Sequence, residues 1–155
     1  MEIDNNKELF VLDIANNHFG DVNHAIHIIK EFAKVKDDTG AQIAIKFQYR
    51  DLETYIHNDF KNRLDLKYIN RFMSTRLSEI DLLRLAEIVK QKEMILMTTP
   101  FDELSVHLAL KANVDIIKIA SASSDDFPLI KEIVKFNKPV IASTGGLSLQ
   151  NIDKL

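Results

Sequence analysis

Two lysines interrupt short apolar stretches of the sequence, Lys46 within residues 43–48 and Lys118 within residues 116–120. Successive side chains of a β-strand point to opposite faces, so Lys46 lies opposite Ile43, Ile45 and Phe47. Lys118 lies opposite Ile117 and Ile119, on the face that also carries Ile116 and Ala120. The aliphatic side chains opposite the lysines are expected to meet covering helices, which leaves both ammonium groups on the other face of the sheet. A buried ammonium group needs a carboxylate partner, a lowered pKa or an anionic ligand, because an unpaired buried charge is strongly unfavourable.

The same alternation places one carboxylate, Asp13, on the side of the lysines, where a salt bridge to either of them is the simplest structural role. Two ammonium groups and one carboxylate would still leave positive charge unmatched. Hydroxyl side chains recur every 22 residues near the ends of the later apolar stretches, at Thr99, Ser121 and Ser143. Cationic and hydroxyl donors at a similar depth are groups that bind phosphate and carboxylate. The sequence therefore predicts a site for a small anionic ligand and does not identify which one.

The segment 16–20, which follows the first apolar stretch, leaves two interpretations open. Asn17 and His18 could orient a substrate through their amide and imidazole groups. Alternatively, the segment is a plain turn with Gly20 at positive φ. Two further histidines, His24 and His27, lie three residues apart on a predicted helix, but no carboxylate or cysteine accompanies them, which favours surface residues over a metal site.

The composition excludes several classes of protein. The chain has 155 residues, a formal net charge of −3, 46% hydrophobic residues and no cysteine. Disulfides, thiolate metal sites and cysteine nucleophiles are thereby excluded, and the charge balance disfavours a nucleic-acid partner. The polar N-terminus and the lack of a long uncharged run disfavour export and a membrane partner. We therefore expect a cytoplasmic protein that acts on small molecules.

Five apolar stretches alternate with stretches of helical periodicity, which is typical of a parallel sheet covered by helices. The predicted strands are residues 9–14, 43–48, 94–99, 116–120 and 140–143, and the predicted helices between them are residues 21–36, 79–92, 103–111 and 127–136, with an extra one near 65–75. Five side chains are placed to cap helix N-termini: Asp21, Ser78, Asp102, Asp126 and Ser148. Strand carboxyl ends and helix N-termini then share one rim, where parallel sheets bind ligands.

Five of these segments, read in order, resemble the sialic acid synthase family, whose members include N-acetylneuraminate, legionaminate and pseudaminate synthases. The segments are residues 13–21, 46–48, 99–102, 118–121 and 143–145. The resemblance implies an α/β fold of the (β/α)₈ TIM-barrel type, of which residues 1–155, as a single domain, would supply about five β/α units. It places the remaining barrel strands and an antifreeze-like domain beyond the end of this sequence.

The family's activity is the condensation of phosphoenolpyruvate with an N-acylated amino sugar in its aldehyde form, which gives a nine-carbon sugar acid and releases phosphate. The resemblance implies a divalent cofactor, manganese or magnesium, with ligands that lie outside this chain. By position it gives catalytic roles to Lys46, Lys118 and Asp13. It gives substrate-binding roles to Gln48, Thr99, Ser121, Ser143, Asn17 and His18.

Three positions depart from the family pattern. Asp13 and Ser123 stand where the family has glutamates, and Ala15 replaces a common glycine. A divergent member with another sugar is therefore expected. An incomplete barrel would also expose its strands near Val11 and Ile141, which predicts a homo-oligomer or instability. Because the resemblance places the metal ligands outside this chain, little activity is expected of the chain alone.

Two alternatives stay open at this point. In a Schiff-base aldolase of the same barrel type, Lys118 would be a nucleophile with a lowered pKa. A half-barrel that only binds a small anion would need no catalytic group at all.

Overall fold

The strands of the sheet are parallel and pair in chain order in the computed structural model, which describes residues 3–4 and 6–154. They are β1 (Leu9–Asp13), β2 (Gln42–Tyr49), β3 (Ile95–Pro100), β4 (Ile116–Ile119) and β5 (Val140–Ala142). The curled sheet and its covering helices confirm the predicted α/β class and the incomplete TIM-type barrel. All five predicted strands are confirmed within two residues at each end.

Helices lie between these strands, and all of those described except α3 begin at a polar cap. They are α1 (Val22–Thr39), α2 (Leu52–Tyr55), α3 (Lys67–Ser74), α4 (Glu79–Gln91), α5 (Glu103–Lys111), α6 (Phe127–Val134) and α7 (Leu149–Ile152). The five predicted caps each accept a hydrogen bond from a backbone N–H of the following helix. The sequence did not predict three short elements. They are α2, which is capped by Asp51, and two 3₁₀ helices at Asn58–Phe60 and Ser121–Ser123.

The two faces of the sheet have different surroundings. Outward side chains such as Ile45, Phe47 and Ile117 pack with the helices in the main core. A smaller apolar cluster lies on the opposite face, which we call the inner face: Ala44, Ile95, Met97 and Ile116. Because strand side chains alternate, Lys46 and Lys118 lie on the inner face, as the sequence predicts.

The turn between β1 and α1 packs closely against the end of α3. Gly20 has a φ of +77°, and a Cβ atom added there would lie 2.9 Å from the backbone oxygen of Ser74. The predicted positive φ of Gly20 is thereby confirmed. The close approach brings the turn and α3 together over the carboxyl ends of β1 and β2.

Replacing Gly20 by alanine is expected to lower the free energy of unfolding by about 2 kcal/mol or more, because the new methyl group meets backbone and the φ is unfavourable. The matched control is Gly40→Ala, where φ is +67° but no atom lies within 4 Å of the added Cβ. It should cost only the conformational term, about 1 kcal/mol. Urea unfolding of both variants measures the difference, and equal losses would show that the contact with Ser74 is unimportant.

Strands β1 and β5 form the two edges of the described sheet, as the sequence predicts. Apolar side chains on both are well exposed, among them Phe10, Val11, Val140 and Ile141.

In the described part of the chain, no helix has the length and apolar character that a membrane crossing requires.

Candidate active site

Lys46 lies in the middle of β2 and is 7% exposed. The parallel register sets Asp13 of β1 directly beside it, and the Lys46 Nζ atom lies 2.6 Å from the Asp13 Oδ2 atom. The salt bridge considered from the sequence is therefore formed, with Lys46 as its cation. Nearly half of the Asp13 side chain remains exposed, so this carboxylate is also open to a ligand.

Lys118 of β4 is half-buried on the same inner face and forms no salt bridge with any described residue. Its Nζ atom only approaches the backbone oxygen of Ile119, at 3.5 Å. Burial lowers the pKa of Lys118, and the positive charge of Lys46 lowers it further, while Asp13 partly compensates. The site therefore holds two lysines and one carboxylate that influence each other, with one positive charge in excess.

Thr99 projects from β3 between the two lysine strands, and its register partner on β2 is Gln48. The residue is 2% exposed, and its Oγ1 atom has no hydrogen-bond partner among the described residues. Buried hydroxyl groups are nearly always paired, because an unpaired one loses its bonds to water without replacement. The unpartnered Thr99 hydroxyl is therefore a candidate ligand contact.

Replacing Thr99 by valine is expected to raise the free energy of unfolding by about 1 kcal/mol and to weaken binding of an anionic ligand about tenfold, because it removes an unpartnered buried hydroxyl. Thr98→Val is the matched control, since the Thr98 Oγ1 atom donates to the Phe47 backbone oxygen at 3.3 Å on the other face. That change should lower stability and leave binding unchanged. Thermal unfolding and calorimetric titration of both variants test the pair, and weaker stability of Thr99→Val would contradict the assignment.

Ser121 and Ser143 follow the ends of β4 and β5, and both lie close to Gly145. A Cβ atom added to Gly145 would be 3.5 Å from the Ser121 Cβ atom and 3.8 Å from the Ser143 Oγ atom. The structure thus brings the two predicted hydroxyls together. Ser123, where the family resemblance suggests a glutamate, is buried in the 3₁₀ helix after β4 and offers no carboxylate.

Gln48 is held in one orientation by Arg50. The Arg50 Nη2 atom donates to the Gln48 Oε1 atom at 2.8 Å. Because a guanidinium group can only donate, the Gln48 amide nitrogen is left as the donor for a ligand. Burial lowers the pKa of Arg50, whose guanidinium carbon lies 3.8 Å from the ring centre of Phe101 and 4.5 Å from that of Phe72.

Arg50 was not predicted as a site residue. The rings around it come from a short helix, α3 and the end of β3, and these elements are distant in sequence. Arg50 directly follows β2, two residues after Gln48. Because side chains alternate along a strand, this spacing places Arg50 on the same face as Gln48, and it could have identified Arg50 from the sequence.

The turn after β1 has the positive φ at Gly20 that the turn interpretation predicts, and the substrate-binding interpretation stays a prediction. His18 is 6% exposed, its Nδ1 atom accepts from the Gly20 N–H at 3.1 Å, and burial lowers its pKa. Its bonding serves the turn, although it also borders a small cavity of about 50 Å³ beside Gln48. Asn17 instead lines a larger cavity and remains a substrate-binding prediction.

The larger cavity has a volume of about 730 Å³ and lies between the turn after β1, the end of β2 and α3. Gln48 connects it to the lysines, since this residue shares the inner face with Lys46 and also lines the cavity. Aromatic rings contribute to its walls through Phe19, Tyr68 and Phe72. The arrangement could hold a ligand larger than a simple anion next to the lysine site.

No three His, Asp or Glu side chains of residues 3–4 and 6–154 come together as a metal-binding group. His24 stacks near Phe19, and His27 approaches Glu31 on the surface of α1.

The chain is similar to known proteins in both sequence and structure. Residues 32–155 match the model of the NeuB family. The N,N'-diacetyllegionaminic acid synthase of Campylobacter jejuni is 30% identical over 156 residues, which cover 96% of this chain and 45% of that protein. The sialic acid synthetase of Leptospira borgpetersenii superposes with a TM-score of 0.79 at 28% identity, over 97% of this chain and 49% of that one.

A Chromobacterium violaceum protein assigned to spore coat polysaccharide biosynthesis as protein E superposes with a TM-score of 0.91 at 41% identity, over 96% of this chain and 44% of that one. A truncated 3-deoxy-D-arabino-heptulosonate 7-phosphate synthase from Thermotoga maritima, at 16% identity and a TM-score of 0.59, shares the fold. The chain spans less than half the length of each of these full relatives.

Proposed function

This chain belongs to the NeuB family, and on that premise we propose that it binds phosphoenolpyruvate at Lys46 and Lys118 and takes part in its condensation with an N-acylated amino sugar. Relatives of the chain are sialic-type sugar acid synthases. For this chain itself we propose phosphoenolpyruvate as the substrate, an N-acylated amino sugar as the acceptor, and activity in the condensation.

One observation carries the proposal: an unpaired, half-buried Lys118 shares the inner face with the Lys46–Asp13 pair and an unpartnered Thr99 hydroxyl. Phosphoenolpyruvate has a phosphate and a carboxylate within one small molecule. Two ammonium groups and neighbouring hydroxyls match that charge and hydrogen-bonding demand. The Ser121 and Ser143 hydroxyls beside Gly145 add donors at the carboxyl ends of the next strands.

The chemistry follows from where charge moves. The methylene carbon of phosphoenolpyruvate forms a bond to the aldehyde carbon of the sugar, whose oxygen gains electrons and then a proton. Water adds to the carbon that bears the phosphate, and the C–O bond breaks to release phosphate. Cations fixed beside the departing phosphate stabilise this transition state more than the ground state, and they need no rearrangement during the step.

The acceptor sugar is assigned to the 730 Å³ cavity, because Gln48 connects it to the lysines. The Gln48 amide N–H points away from Arg50 and can donate to a sugar oxygen. Aromatic walls suit the apolar face of a sugar ring or its N-acyl methyl group. The exposed part of Asp13 can accept from a sugar hydroxyl group.

Calorimetric titration of the chain with phosphoenolpyruvate tests the proposal. We expect saturable binding that is at least about tenfold tighter than binding of pyruvate or inorganic phosphate, because each of these offers only one of the two anionic groups. Absence of binding, or equal binding of the three molecules, would refute the proposed site.

A Schiff-base aldolase remains a second candidate, since burial and a neighbouring cation give Lys118 the lowered pKa that a nucleophilic lysine needs. Pyruvate with borohydride would then leave a covalent adduct on Lys118, detectable by mass spectrometry. The synthase proposal expects no adduct and tight, reversible binding of phosphoenolpyruvate.

Binding of phosphoenolpyruvate is expected to take up protons in the alkaline range. The pKa of Lys118 is lowered below its ordinary 10.5 in the free chain, and a bound anion would raise it again. Affinity should therefore fall as pH rises through the lowered pKa. Titrations at about pH 9.5 in buffers of different ionisation enthalpy measure the uptake. Lys118→Met should abolish it, and a buffer-independent enthalpy in the unmodified chain would contradict this role.

A further inference from the structure

The large cavity beside Gln48 is lined by three cationic side chains, Arg50, Lys67 and Arg71, and by no acidic residue. A neutral sugar requires no such charge. Sugar sites usually offer carboxylates and amides that accept from hydroxyl groups, whereas the carboxylate proposed to accept from the sugar here, Asp13, lies outside the lining of the cavity and shares its charge with Lys46. A neutral acceptor therefore does not explain why the cavity is lined by positive charges.

These three cations also lack the partners that other basic residues of the same connection have. Lys61 and Arg76 both form salt bridges with Glu53, and Arg63 forms one with Asp65. Among the described residues, none of the three cavity cations forms a salt bridge. Ion pairs are thus available in this segment, and they are formed away from the cavity.

Arg50 is the most constrained of the three. Its guanidinium group stacks against Phe101 and Phe72 and donates to Gln48, and its Nε–H group has no hydrogen-bond partner in the part of the chain that the structure describes. The Asp102 carboxylate, which accepts from the Asp51 and Ser105 N–H groups, is close enough to favour the charged form of Arg50 but forms no salt bridge with it. A stacked guanidinium keeps its edge for planar oxyanions and loses little side-chain entropy when one binds.

Lys67 and Arg71 stand one helical turn apart on α3, four residues from each other. Residues at this spacing lie on the same side of a helix, so both charges face one ligand group. The stack of Phe72 against Arg50 and the contact of Gly20 with Ser74 fix α3 over the cavity.

We propose that the acceptor sugar bound in this cavity is anionic, with a phosphate or carboxylate group at the end away from its aldehyde, and that Arg50, Lys67 and Arg71 bind that group. This inference rests on the proposed function, since it assigns the cavity to the acceptor. The aldehyde end then lies towards Gln48 and the lysine site, and the charged end lies under α3.

Calorimetric titration of the chain with three probes tests the inference. N-acetylmannosamine is the neutral probe, its 6-phosphate carries a phosphate, and N-acetylmannosaminuronate carries a carboxylate. We expect at least one anionic sugar to bind about tenfold or more tightly than the neutral one. Which of the two binds more tightly identifies the anionic group.

The variant Lys67→Gln/Arg71→Gln removes two charges from exposed positions on α3 and should not affect folding. It is expected to weaken binding of the preferred anionic sugar about tenfold and to leave the neutral sugar unchanged. The matched control is Lys30→Gln/Arg84→Gln, which removes the same charges from exposed sites outside the cavity and should leave binding unchanged. Equal binding of all three sugars, or equal losses in both variants, would overturn the inference.

Phosphoenolpyruvate binding distinguishes failure of this inference from failure of the proposed function. If phosphoenolpyruvate binds but no anionic sugar is preferred, only the charge of the acceptor is wrong. If phosphoenolpyruvate does not bind, the proposed function fails, whatever the sugars do.

Discussion

Replacing Lys118 by methionine is expected to weaken phosphoenolpyruvate binding about 100-fold, because a charge-assisted contact to phosphate or carboxylate is lost from a partly buried site. The free energy of unfolding should stay unchanged or rise slightly. In the free chain this ammonium group has no salt bridge to a described residue, is desolvated and is repelled by Lys46. The variant therefore separates ligand binding from folding.

The matched control is Lys131→Met on α6, which removes an identical group from an exposed position outside the site. It should change neither binding nor stability. Calorimetry and urea unfolding provide the two measurements. Retained affinity in Lys118→Met would exclude it as an anion-binding group, and a loss of about 2 kcal/mol or more in stability would indicate a structural role.

The placement of the two lysines shows how far sequence reasoning reaches. The alternation of side chains correctly puts both of them on the inner face, because large aliphatic neighbours fix which face meets the helices. It does not determine which lysine Asp13 neutralises. That depends on strand order and register. Because β1 pairs with β2, Asp13 lies beside Lys46, whereas Lys118 lies on β4, two strands beyond β2.

Arg50 shows where sequence reasoning ends. Its aromatic neighbours Tyr55, Phe72 and Phe101 come from elements whose relative position depends on how the long connection after β2 folds back. Periodicity predicts α3 as an element, but it contains no information on what α3 contacts. The cationic lining of the cavity therefore becomes visible only in three dimensions.

Ala15 illustrates a different gap. The family resemblance suggests glycine at this position, and the alanine has a φ of +46°. The conformation that favours glycine is thus kept although the residue has changed. The Ala15 N–H donates to the Asp13 carboxylate at 3.1 Å, and Gly20 of the same turn packs against the end of α3. The replacement of glycine by alanine would by itself have suggested a turn without a positive φ at this position.

Replacing Lys46 by methionine is expected to abolish measurable binding of phosphoenolpyruvate, with a loss of about 100-fold or more. Unlike Lys118→Met, this change should also lower the free energy of unfolding, because it leaves Asp13 without its partner at 2.6 Å. The loss should be limited to about 1–2 kcal/mol, since Asp13 is partly exposed and water can solvate it.

The double variant Lys46→Met/Asp13→Asn separates the two roles of Lys46. Removing the orphaned carboxylate should restore most of the lost stability, as measured by urea unfolding, because the asparagine has no charge to compensate. Binding of phosphoenolpyruvate should remain abolished, since the ammonium group itself is the proposed contact. Recovery of binding together with stability would mean that Lys46 acts only by neutralising Asp13, and the anion site would then have to be built around Lys118 and the strand-end hydroxyls alone.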